Sequence, residues 1–144
     1  MKEGNATQVS VNISGRQLAD PMLIQTIEAA LDQHNLPAEY SAIELTETAL
    51  VAGVTMALEM LRELHDRGVT IAIDDFGTGH SLSYLKALPV DLVKIDRAFV
   101  TGIDRSGDDF AIISAMIKLA QTMGKQVVAQ GVETEQQLEL LRDL

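Results

Sequence analysis

Five short stretches rich in Val and Ile recur along the chain, and a helical pattern fills each interval between them. They read VSVNIS at 9–14, AIELTE at 42–47, VTIAID at 69–74, DLVKID at 91–96 and QVVAQG at 126–131. Each is short, β-branched and bounded by polar or turn residues, which is the signature of a strand. Strand and helix in strict alternation leave few folds open. Consecutive strands joined by helices run parallel, with right-handed crossovers and the helices packed outside the sheet. The fold class expected is therefore α/β with parallel strands, about five βα units long.

The helix signals agree. Asp20 before Pro21 predicts an N-cap and first turn for a helix over MLIQTIEAALDQHN. A second helix is expected over 55–67 with Gly68 as its C-terminal cap. A third is expected over 108–123, between Asp108–Asp109 at the favourable dipole end and Gly124. A last helix is expected over 134–143 with Thr134 as N-cap, and a short one over 81–88 stops before Pro89. No linker or composition break suggests a second domain. Residues 1–8 read as a flexible leader and 9–144 as the folded unit.

Side chains alternate between the faces of a strand. Val9, Val11 and Ile13 share a face and Asn12 takes the other. By the same period, Glu44 opposes Ile43 and Leu45, and Asp74 opposes Ile71 and Ile73. Lys94 and Asp96 oppose Val93 and Ile95, and Gln130 opposes Val127 and Ala129. Each strand thus sends apolar residues towards the helices. Near its C-terminal end it sends a polar group the other way, where parallel α/β folds carry their sites.

The third strand ends in TIAIDDFGTGH, with adjacent carboxylates at Asp74 and Asp75. Two like charges at the end of a buried strand are costly unless something pairs with them. A solvated turn is one reading and a divalent metal site the other. The formal net charge of −10 and an aromatic content of 3% with no Trp argue against a nucleic-acid polymer as partner. An anionic ligand would need cations to bridge it to such a surface. With no Cys, disulfides and thiolate metal sites are excluded. No apolar run approaches the ~18 residues of a membrane span, so the expectation is a cytoplasmic protein with no membrane segment.

Four stretches, VSVNISGRQL, IELTET, IAIDDFGTGHSLSYLKALPVDLVKIDRAFV and VVAQGVETEQQLELL, resemble the EAL domain family of cyclic-di-GMP phosphodiesterases, in family order. The resemblance implies part of a (β/α)8 TIM-type barrel that hydrolyses cyclic-di-GMP to pGpG with Mg²⁺ or Mn²⁺. It implies Asn12, Glu44 and Asp74 as ligands of one metal, with Asp74 bridging to a second that Asp75 helps to hold. It gives Lys94 the attacking water or the phosphate, and Asp96 a supporting role. Glu47 would steady the loop of Gly77, Thr78 and Gly79, which also forms a dimer surface. The implied partners are cyclic-di-GMP, a second copy or missing barrel segments, and flanking signalling domains.

Three departures from the family pattern stand out. The family's Ala-Glu-Gly-Val-Glu-Thr is AQGVET here, so the metal ligand and general base of the family becomes Gln130, while Glu133 is kept. The loop GTGHSLSYL is one residue shorter than the usual GTGYSSLSYL, with His80 in place of Tyr. The segment with the namesake motif is expected before Val9 and a final strand after Leu144, which makes the chain a partial domain of weak or no activity. Non-catalytic alternatives are a cyclic-di-GMP receptor and a dimerising regulatory module. A phospho-receiver shares the strand count but places its acidic pair after the first strand, whereas here the pair follows the third. His34 and His65 are expected to be solvated and His80 to be a loop residue. Met56, Met60, Met116 and Met123 are expected in the core.

Overall fold

The computed structural model describes residues 7–51, 54–77, 82–104 and 107–144. Five strands, β1 (Val9–Asn12), β2 (Ser41–Thr46), β3 (Thr70–Phe76), β4 (Leu92–Ile95) and β5 (Gln126–Ala129), form one sheet in the order β1-β2-β3-β4-β5. All four neighbouring pairs are parallel. Strand order equal to chain order is what successive right-handed βαβ units produce.

The helices are α1 (Gly15–Leu18), α2 (Leu23–Gln33), α3 (Glu47–Val51), α4 (Val54–Asp66), α5 (Leu82–Ala87), α6 (Arg97–Thr101), α7 (Asp108–Thr122) and α8 (Glu135–Arg142). Gly68 and Gly124 stand at φ +95° and +71° beyond α4 and α7, the left-handed geometry that ends a helix. Thr134 caps α8 as expected. Asp20 does not cap α2. Its carboxylate accepts from the Met22 N–H at 2.9 Å and closes a separate turn, so the helix starts only at Leu23. The short α1, α3 and α6 have no apolar periodicity to announce them, and each follows a strand directly.

The core lies between the sheet and the helices. Leu45, Ile71, Ile73, Val93 and Ile95 from the three central strands are fully buried against Leu61, Leu64, Val100 and Ile113. Leu45→Ala in this layer is expected to cost about 2–5 kcal/mol, checked by denaturant unfolding. Met60 and Met116 are buried and Met123 packs on the same core, while Met56 lies outside the residues whose side chains are described. One part of the two-face expectation fails at the margin of the sheet. Val9 and Val11 are 54% and 51% exposed, because β1 is an edge strand whose helix-side face is covered only at Ile13.

His65 is not simply solvated. Its Nε2 lies 3.1 Å from Asp91 Oδ1, while Asp91 Oδ2 accepts from the Ile71 N–H at 2.9 Å. Asp91 thereby ties the end of α4 to the start of β3, at the opposite end of the sheet from the acidic pair. His34 is exposed at the end of α2, and His80 lies outside the described residues.

Candidate functional site

In a parallel sheet, residues in register share a face. Asn12 pairs with Glu44, Glu44 with Ala72, Ala72 with Leu92, and Lys94 with Val128. Asp74 and Lys94 lie two residues beyond Ala72 and Leu92, and Gln130 two beyond Val128. Asn12, Glu44, Asp74, Lys94 and Gln130 therefore project from one sheet face, opposite the helices, towards the C-terminal ends of the five strands.

The acidic pair is arranged by a bulge. Ile73 pairs with Val93 and Phe76 with Ile95, so Asp74 and Asp75 together oppose Lys94. Asp75 takes up the extra residue at φ +55°, a left-handed conformation that Asp tolerates better than most residues. Its N–H donates to Asp74 Oδ1 at 3.0 Å. Strict alternation would have turned Asp75 towards the helices. The bulge removes that constraint, and Asp75 contacts Asp96 across the mouth.

Lys94 answers the charge of the pair. Its Nζ lies 2.7 Å from Glu44 Oε2 and 3.7 Å from Asp74 Oδ1. The Lys94 and Glu44 side chains are 17% and 11% exposed, so this pair is shielded well beyond an ordinary surface bridge. Lys94 on β4 reaches β2 across β3, where Ala72 is buried and carries only a methyl group. Burial pushes the Glu44 carboxyl up, but hydrogen bonds from Lys94 and Ser10 and the Lys94 charge outweigh it and leave its pKa lowered. Burial pulls Lys94 down, and its bond to Glu44 and the charges of Asp74 and Glu44 more than offset that. Lys94 is thus held as an ammonium.

Asp75 behaves in the opposite way. Burial, the Asp96 hydrogen bond and the charge of Asp74 raise its pKa against the pull of Lys94. In the metal-free protein its contribution to stability is present below the ordinary Asp pKa and lost as pH rises through the raised value. The Glu44 contribution is present above the ordinary Glu pKa and lost as pH falls through its lowered value. Asp75→Asn is therefore expected to raise the melting temperature of the metal-free protein slightly at neutral pH, since Asn also tolerates φ > 0. Thermal melts in EDTA check this, and a lower Tm for the variant would refute it.

Asp96 caps α6, accepting from the Ala98 N–H at 2.6 Å. Glu47, the first residue of α3, is 2% exposed, and among the described residues neither carboxylate oxygen has a hydrogen-bond partner. Gly77 stands at φ +103°, where a Cβ would collide with Met116 and lie 3.0 Å from Phe99. Thr78 and Gly79 lie outside the described residues. Gln130 follows β5 and donates its N–H to Ile95 O at 3.1 Å. Glu133 is exposed three residues further on and does not replace it.

The EAL domain family model matches residues 1–144. The chain belongs to the EAL domain family. Two curated relatives from Pseudomonas aeruginosa are each 42% identical over 94% of the chain: the cyclic di-GMP phosphodiesterase NbdA and the bifunctional diguanylate cyclase/cyclic di-GMP phosphodiesterase MucR. The chain spans 18% and 20% of their lengths. The EAL domain of Mycobacterium smegmatis DcpA superposes with a TM-score of 0.88 at 39% identity, covering 94% of this chain and 61% of that one. The phosphodiesterase of P. aeruginosa MucR in complex with c-di-GMP superposes equally, with a TM-score of 0.88 at 41% identity over 94% of this chain and 56% of that one. These neighbours make the sheet part of a TIM-like barrel.

The donor set of this EAL domain suits a hard divalent cation. Carboxylates and the side-chain amides of Asn12 and Gln130 share the face at the mouth, and two of the carboxylates already share a cation in the Lys94 ammonium. Among the described residues, no three acidic or His side chains stand close enough to coordinate one ion; Glu44 is engaged by Lys94, and Asp75 by Asp96. Two contributors escaped sequence reasoning. Ser10 is visible only through its register beside the site, and Ala72 only as a small residue mid-strand.

Proposed function

We propose that this EAL domain binds cyclic-di-GMP through Mg²⁺ or Mn²⁺ and hydrolyses it to pGpG slowly or not at all. The supporting observation is that Gln130 closes the row of Asn12, Glu44, Asp74 and Lys94 on one face of an EAL-family sheet. Asn12, Glu44 and Asp74 would hold one ion, and Asp74 and Asp75 a second. Such a pair of ions, when bound, neutralises a phosphodiester and lowers the pKa of a water. Release of Lys94 from Glu44 would free that carboxylate as a ligand and leave the ammonium to orient the phosphate.

Among the described residues, proton removal from the attacking water then lacks an acceptor. Gln130 is a neutral amide. Lys94 is held protonated, and Glu44 is a weakened base. Asp75 owes its raised pKa to burial and to its acidic neighbours, an effect that a nearby cation would reverse. These features favour a receptor-like domain over an efficient enzyme. Incubation of the chain with cyclic-di-GMP and Mn²⁺, followed by chromatography, tests the reading. Largely intact dinucleotide is expected, and rapid formation of pGpG would show that the base lies elsewhere.

A further inference from the structure

The turn that follows Gln130 is pinned by one side chain. Gln137, in the first turn of α8, is only 8% exposed. Its Oε1 accepts from the N–H groups of Glu133 at 2.8 Å and Thr134 at 3.0 Å. Its Nε2 donates to the carbonyls of Val100 at 3.2 Å and Thr101 at 3.3 Å, at the end of α6. A buried amide with both ends used in this way joins two segments that have no covalent link nearby. A second contact acts on the same turn. Gly131 sits at φ +73°, and a Cβ there would lie 2.7 Å from Arg97 Cβ, so the backbone lies flush on the start of α6. That helix begins at Asp96, the partner of Asp75 at the mouth.

Helix capping alone does not account for Gln137. Thr134 and Gln137 form a capping box, a motif in which Glu serves as well as Gln and suits the helix dipole better. The chain contains a second such box, Ser14 with Gln17, and there Gln17 is exposed and, among the described residues, bonds only within its own turn. Of Gln and ionised Glu, only the amide can accept from one segment and also donate to carbonyls of another.

We propose that Gln137 is a positioning residue, whose buried amide ties the turn carrying residue 130 to the end of α6 and so holds that residue at the mouth of the site. This rests on the reading that position 130 faces bound metal and substrate. The tie decides whether a carboxylate restored at 130 can act as a ligand.

The test titrates Mn²⁺ alone calorimetrically into the full chain and three variants. Gln130→Glu is expected to bind at least about tenfold tighter than the parent. Adding Gln137→Glu, which keeps the cap but loses the donors to α6, is expected to abolish that gain. Adding Gln17→Glu is expected to leave it intact. A gain that survives Gln137→Glu in full would overturn the proposal. If Gln130→Glu itself brings no gain, the metal reading of position 130 fails, and amide exchange in the unaltered protein judges the tie by itself. The same measurement serves if Gln137→Glu does not fold. The Glu133 and Thr134 amides are expected to exchange at least about tenfold more slowly than the Ser14 amide of the exposed box. Equal rates would overturn the proposal.

Discussion

Gln130→Glu is expected to raise the conversion of cyclic-di-GMP to pGpG by about 10²-fold or more, the factor that a positioned general base supplies. The substitution is nearly isosteric, and position 130 is held through its backbone N–H to Ile95 O, a bond that does not depend on the side chain. The effect belongs to turnover and not to folding. Melting temperatures of the parent and the variant should agree within a few degrees, while rates with saturating Mn²⁺ diverge. Equal and fast rates would place the base elsewhere. Equal and undetectable rates would shift the cause to the shortened loop after Gly79, whose first residues lie outside the described ones.

Asp74→Ala is expected to weaken Mn²⁺ binding by about 10²-fold or more, beyond the 10–100-fold typical of losing an outer-shell partner. Asp74 is the proposed bridging ligand between the two ions. The fold should survive the change, because Lys94 keeps its closer partner Glu44 at 2.7 Å and loses only the 3.7 Å contact. Calorimetry beside a thermal melt separates the two effects. An unchanged Mn²⁺ titration would remove Asp74 from the site, and a collapse of Tm would show that its role is structural.

The five parallel strands and the face of the site were legible in the sequence, the first from the alternation of strand and helix and the second from period. Ile43, Ile71, Ile73, Val93 and Ile95 alternate with polar neighbours, and burial of the apolar set fixes the other side chains on the open face. The bulge at Asp74–Asp75 was not legible. A bulge is defined against the partner strand, and no residue type announces it when the extra position is an Asp rather than a Gly. The start of α2 was misread for a related reason. Asp-Pro marks both helix starts and free-standing turns, and the hydrogen bond from Met22 N–H to Asp20 decides for the turn. The pairing of His65 with Asp91 joins residues 26 apart in the chain, beyond the reach of any local pattern. The burial of Val9 and Val11 depends on what covers an edge strand, which their own alternation does not encode.

The central claim is that the mouth of this sheet holds cyclic-di-GMP through divalent cations while residue 130 withholds the base. Its most direct test is a calorimetric titration of cyclic-di-GMP into the unaltered chain, with Mn²⁺ and again with EDTA. Saturable binding that appears only with Mn²⁺ is predicted, with the dinucleotide recovered intact from the cell afterwards. Binding of equal strength in EDTA, or none at millimolar Mn²⁺, would contradict the account.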